Sequence, residues 1–135
     1  MAVQLSVSVR NARLDAIETA IGTAAVLKIR TGAAPADVAT ADSGTVLASL
    51  TLPSDWLAAA SSGSKAKSGT WQDTSADATG TAAHFRIYAS DGTTAHLQGT
   101  VTVTGGGGDL TLDNTSISSG QSVTISSFSL TDGNN

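Results

Sequence analysis

Apolar residues recur at three- and four-residue spacing only near the start of the chain. Leu5, Val9, Ala12, Ala16, Ile17, Ala20 and Ile21 form that stripe, leaving Arg10, Arg13, Asp15 and Glu18 toward the other side. The spacing predicts a helix that begins near Ser6 or Ser8, either of which can cap it, and that stops at Gly22 in a left-handed cap. Val7 and Val9 also fit the two-residue alternation of a short strand, so the first turn is open between the two readings.

From Ala24 the period is two. Ala24–Thr31 reads as a strand with Leu27 and Ile29 on one face and Lys28 and Arg30 on the other. A turn-rich loop, Gly32–Gly44, leads to a strand over Thr45–Leu52, with Val46, Ala48, Leu50 and Leu52 facing in and Pro53 ending it. Ser54 is placed to cap a short helix, Asp55–Ala60. Further strands are expected around Lys67–Trp71 and over Ala82–Ala89, Thr93–Thr104, Asp109–Asn114 and Ser122–Leu130. The last changes phase between Ile125 and Phe128, which a bulge at Ser126–Ser127 repairs. A three-residue loop, Ser90-Asp91-Gly92, keeps like faces together by pairing Phe85 with Leu97 and Ile87 with Ala95. The outward pairs are then His84–Gln98, Arg86–His96 and Tyr88–Thr94. The predicted fold is mostly β: an antiparallel β-sandwich of jelly-roll or immunoglobulin-like type, with about six to eight strands, behind one N-terminal α-helix. Residues 1–23 form a helical arm and 24–135 the sandwich domain.

Composition thins the core of that domain. Of the 135 residues, 73 are Ala, Gly, Ser or Thr, and only 28 are Leu, Ile, Val or Phe. The apolar share sits near the ~20% below which chains tend to disorder, but the net charge of -4 is too small to drive disorder. Seven Lys and Arg and an acidic balance argue against nucleic acid as a partner. No apolar run approaches the ~20 residues of a membrane span, and the N-terminus lacks the order of a signal peptide. Synthesis and folding in the cytoplasm are expected. The chain has no cysteine, which excludes disulfides and thiolate chemistry.

Candidate chemistry is sparse. His84 and His96 fall on adjacent strands, but the shared face supplies Arg86, Gln98 and Tyr88 rather than an acid, a poor setting for a metal. No G-x-S-x-G elbow accompanies the many serines. The pairs Asp37 and Asp42, Asp73 and Asp77, and Asp109 and Asp113 read as turn aspartates; GGGGDLTLDN departs from a calcium β-roll repeat at Leu110. No catalytic residue, cofactor or metal is therefore expected. Gly105, Gly106, Gly107 and Gly108 lack the P-loop pattern and read as a flexible tip, a close backbone approach or a partner contact. Trp56 and Trp71 are either core plugs or interface anchors. With Leu5, Val9, Ala12 and Ala16 of the helix, these glycines and tryptophans make up the expected interface set.

The runs NARLDAIETAIG (Asn11–Gly22), LKIRTGAAP (Leu27–Pro35), ATADSGTVLASLTLPSDW (Ala39–Trp56), SGTWQDTSADATGTAAHFRIYASDG (Ser68–Gly92) and QGTVTVTGGGGDLTLDN (Gln98–Asn114) resemble a family of small tailed-phage and prophage virion-associated proteins. The resemblance covers nearly the whole chain and carries no catalytic residues. It implies a non-enzymatic structural protein located in the virion. The favoured member is a head decoration or cement protein that forms a homotrimer or other homo-oligomer and binds the major capsid protein or other virion proteins. A tail or fibre adhesin for host carbohydrate is the alternative.

Overall fold

The computed structural model describes residues 3–133. Ser6 opens helix α1 (Val7–Ile21) by accepting the Val9 N–H at 3.2 Å, and Gly22, at φ 93°, closes it by donating to Glu18 O at 2.9 Å. The face that α1 buries takes Ile17 and Ile21 from the predicted stripe, adds Leu14 and leaves out the alanines. Leu14 and Ile21 are buried and Ile17 half-buried, whereas Val9, Ala12, Ala16 and Ala20 face outward. Larger side chains bury more apolar area, and the surface beneath them is rich in backbone donors. Ala60 N–H donates to Asp15 (3.0 Å), Leu57 N–H to Glu18 (3.3 Å) and Gly63 N–H to Asn11 (2.9 Å). The helix therefore docks on the β-domain with part of its polar side inward.

Ten strands follow among the described residues: β1 (Val26–Arg30), β2 (Val46–Thr51), β3 (Ser64–Ala66), β4 (Gln72–Asp73), β5 (Gly80–Thr81), β6 (His84–Tyr88), β7 (Ala95–Val103), β8 (Leu110–Leu112), β9 (Ser116–Ile117) and β10 (Val123–Thr131). The main sheet runs β2-β1-β6-β7-β8-β10-β3, with β4 pairing farther along β10, and β5 pairs with β9 apart from it. The sheet curls until its ends meet. Asp77 N–H donates to Leu47 O at 2.7 Å, and Ser49 N–H to the Asp73 carboxylate at 3.0 Å, bridging β2 to the β4 region. The result is the mostly-β, sandwich-like fold with one N-terminal helix that the patterning predicts. Leu27, Ile29, Leu50, Phe85, Ile87, Leu110 and Ile125 are buried in its shared core.

Several local expectations are corrected. Residues 55–60 are not helical: Leu57 bridges to Lys67 and Ala58 N–H bonds to Ala66 O, so tertiary pairing overrides the capping signal. The strand expected over Lys67–Trp71 is split, with β3 before it and β4 after it. The β6–β7 hairpin also differs. Ile87 stands opposite Leu97, Phe85 opposite Gly99, Arg86 opposite Gln98 and His84 opposite Thr100, with His96 as the bulged extra residue. Asp91 accepts from the N–H of both Thr93 and Thr94, and Ala89 N–H closes a wider loop on Thr94 O. The bulge then restores matching faces that a tight loop alone was expected to provide. The other expected bulge is present, as β10 shifts register against β8 between Ile125 and Ser127.

One pair is parallel, β7 with β8, and residues 104–109 alone connect it. Parallel connections ordinarily need about a dozen residues or more. The glycine run makes the short return possible by doubling back against its own strand. Gly105 and Gly107 take φ of 86° and 83°, and a Cβ on Gly106 or Gly108 would stand 2.8 Å from Thr102. Gly108 N–H donates to Thr102 Oγ1 at 2.9 Å. Asp109 then lands beside Thr100 and accepts its N–H at 2.9 Å. Gly99 completes the fit: a Cβ there would lie 2.8 Å from the Phe85 ring and 2.9 Å from the Asp109 carboxylate. Gly99→Ala is expected to cost about 1–3 kcal/mol by overpacking, read as a lower melting midpoint in calorimetry. An unchanged midpoint would show that the ring and the carboxylate move aside freely.

Candidate functional site

Strand alternation turns Arg30 on β1, and His84, Arg86 and Tyr88 on β6, away from the core, and pairing sets Arg30 directly opposite His84. A solvated polar face is expected there, and the structure overturns that expectation. The 32–44 loop folds back over the face, leaving Arg86 2% and His84 1% exposed. Arg86 Nη1 donates to Asp42 Oδ1 at 2.7 Å, and Nη2 to the carbonyls of Asp37 and Thr40, both at 2.9 Å. Its Nε and Nη2 also donate to Gln98 Oε1, at 3.1 and 2.9 Å. Arg30 Nη2 donates to Asp42 Oδ2 and the Tyr88 hydroxyl to Asp42 Oδ1, each at 2.8 Å. Gln98 donates to Pro35 O at 2.8 Å, and His84 Nδ1, protonated to face a carbonyl, to Gly32 O at 2.7 Å.

Two guanidiniums thus converge on one carboxylate. Burial pushes the Asp42 carboxyl up, but the hydrogen bonds from Tyr88 and Arg86 and the charges of Arg30 and Arg86 outweigh it, holding Asp42 below the ordinary carboxylate value. Burial pushes the Tyr88 phenol up, and its bond to Asp42 adds to that. Both Asp42 oxygens are engaged, so the cluster acts as a polar staple that fixes the loop to the sheet. Arg30 Nε and His84 Nε2 are buried without a partner on this same pair of opposed residues.

The chain matches no family model, no curated protein and no solved structure.

A second staple holds the helix. Lys65, 3% exposed, donates to Asp15 at 2.7 Å and to Ala58 O at 2.9 Å, and lies 3.0 Å from the Glu18 carboxylate. Burial lowers the Lys65 pKa, but the bonds to Asp15 and Glu18 reverse that and raise it. The bond from Lys65, with the Ala60 N–H, holds Asp15 below its ordinary value. Trp56 Nε1 adds a bond to Gly22 O at 3.1 Å, just past the helix.

The expected interface set separates in the structure. Trp56 and Trp71 are both fully buried, their rings 6.0 Å apart, and so are core residues rather than surface anchors. Val9, Ala12 and Ala16 lie exposed on the outer side of α1, with Leu5 half-buried. Gly105, Gly106 and Gly107 are exposed and Gly108 half-buried on the β7–β8 connection. Among the described residues, no three His, Asp or Glu side chains stand together as a metal site, and no helix is long and apolar enough to cross a membrane. The turn aspartates cap their surroundings: Asp37 accepts from Thr40, Asp73 from Ser49 and Ser75, and Asp109 from Thr100. The sequence reading missed Arg30, Asp42, Arg86 and Lys65. The available signal was a cation amid the apolar residues of HFRIY, together with a loop of 13 residues that has no regular structure of its own.

Proposed function

We propose that this chain is a non-enzymatic structural protein of a tailed-phage virion, a head decoration or cement protein that self-associates and binds the major capsid protein. The observation that carries this reading is the ordered succession of TWQD, ATGTA, HFRIY and DGTT within a resemblance spanning nearly the whole chain. Two features of the molecule support it. Its buried cations Arg30, Lys65 and Arg86 are spent on fixing the loop and the helix, as suits a component selected for a rigid shape. The outer side of α1 presents Val9, Ala12 and Ala16 to solvent, a low-relief apolar strip on which a neighbour can pack closely. The acidic balance limits adhesion to packaged nucleic acid. The mechanism is binding alone: apolar burial and strand pairing at subunit seams raise the barrier to rupture of the shell.

The adhesin alternative draws no support from the tryptophans, both of which are interior. Quantitative mass spectrometry of gradient-purified particles tests the proposal. A copy number comparable to that of the major capsid protein is expected. A number far below it would move the protein to the tail, and absence from particles would sink both virion readings.

A further inference from the structure

The main sheet lacks a strand's length at one place. β8 has three residues, yet its neighbours β7 and β10 have nine each. Leu110, the first residue of β8, pairs with Val101 on one side and Phe128 on the other. Beyond it, Ala95–Thr100 of β7 and Ser129–Thr131 of β10 continue along the same line, and among the described residues no strand pairs between them. The bond from Val101 N–H to Ala83 O turns Val101 toward β6, so alternation aims the backbone groups of Gln98 and Thr100 into the gap. The bonds Lys67 N–H to Phe128 O and Asp132 N–H to Gly63 O turn Phe128 and Asp132 toward β3, so those of Ser129 and Thr131 also face the gap. Asp109 caps Thr100 at one end. At the other, a cavity of about 410 Å³ opens between Thr131, Asp132 and the Arg13–Ile17 stretch of α1. Leu97 and Leu130, either side of the gap, are only half-buried.

The chain carries a segment that fits. Val3-Gln4-Leu5-Ser6-Val7-Ser8-Val9 alternates strictly, as a strand does. Val3, Val7 and Val9 are three of the four large apolar side chains exposed in the described structure, Val3 at 86%. The four residues Val3–Ser6 before the helix would span ~13 Å when extended, enough to line the three-residue edge of β10. The chain's own segment does not lie there: it leads into α1, which Arg10 ties to Asp132 O at 3.0 Å, and Val3 is left in solvent. A neighbour's segment is under no such tether.

We infer that the strand-shaped gap between β7 and β10 receives the Val3–Ser6 segment of a second copy of this chain, with Val3 and Leu5 turned toward Leu97 and Leu130. Head-to-tail exchange of this kind closes a ring when the rotation between copies allows it. The inference rests on the proposed self-association and names the contact that produces it.

The natural chain has no cysteine, so engineered thiols report cleanly. Gln4→Cys and Ser129→Cys chains of different tag mass are mixed and oxidised mildly, since Gln4 and Ser129 both alternate to the face away from Leu97 and Leu130, where adjacent strands hold paired residues at disulfide distance. The expected product is the mixed-tag disulfide, in excess over either homodimer. In parallel, Val3→Asp/Leu5→Asp is expected to weaken self-association by roughly 100-fold in sedimentation, as removing two apolar side chains from a buried site implies, with an unchanged circular dichroism spectrum. Absence of the mixed disulfide, an intramolecular disulfide in a Gln4→Cys/Ser129→Cys monomer, or oligomers indifferent to the aspartates would overturn the inference and leave self-association standing. A natural chain that stays monomeric at every concentration would overturn both.

Discussion

Asp42→Ala is expected to release the 32–44 loop and to destabilise the fold by about 2–4 kcal/mol. Removing one partner of a wholly buried ion pair costs about 3–5 kcal/mol, because the other charge is left without compensation. Here two cations are stranded, Arg30 and Arg86, with side chains 8% and 2% exposed. The Asp42 side chain is 36% exposed, so water reaches the site once the carboxylate is gone, which brings the cost below the fully buried figure. Arg86 keeps its bonds to Asp37 O and Thr40 O only while the loop stays closed, so the loss spreads through the loop. Hydrogen exchange should show faster amide exchange across residues 32–44, and denaturant unfolding a lowered midpoint. A midpoint within 0.5 kcal/mol of the natural chain would mean, on the scale of ordinary surface substitutions, that the cluster is not a staple.

The same carboxylate sets an acid limit. The Asp42 pKa is held below its ordinary 3.8, so its contribution to stability is present above that value and lost as pH falls through the lower folded value. Asp15 and Asp37 are lowered too, by bonds from Lys65 and Thr40 respectively, and act in the same direction. Lys65 is raised above 10.5, so its contribution is complete below that pH and fades only above it. Stability should therefore be flat through neutrality and drop in the acid range, with a shallower drop in Asp42→Ala.

Strand positions were legible because alternation and turn residues mark them locally. The same logic failed where one element covers another. Arg86 reads as solvent-facing because it alternates with Phe85 and Ile87, and nothing within β6 announces that residues 32–44 return over it. The helix shows a related error of weight. The alanines of the predicted stripe satisfy the periodicity as well as Leu14, Ile17 and Ile21 do, but they bury less area. The polar residues beside those three also find donors on residues 57–63, which only the fold brings near. Register depends on both a loop and a bulge, and the sequence displayed the phase change that marks the bulge in β10 but not the one at His96.

Trp71→Ala carries the other large expected effect, a loss of about 3–5 kcal/mol and hence a substantial part of the 5–15 kcal/mol that ordinarily holds a domain together. The core is poor in bulk, and four of the five aromatic rings form one continuous stack through it. Trp56 lies 6.0 Å from Trp71, Trp71 5.3 Å from Phe128, and Phe128 meets Phe85 edge-on at 5.6 Å. Trp71 links the first ring to the last two, and its Nε1 donates to Ser68 O at 3.1 Å. Its removal opens a hole beside the Trp56 and Phe128 rings that a core with so few large side chains is ill-equipped to refill. Trp71→Phe, which keeps a ring but drops the N–H donor, should cost less, so the two variants unfold at distinct midpoints below that of the natural chain. Equal midpoints for all three would show that the stack does not support the core. This result also constrains the adhesin alternative. A Trp71→Ala protein that no longer binds a host polysaccharide would be reporting an unfolded core, so a carbohydrate site must be sought through exposed residues such as His96.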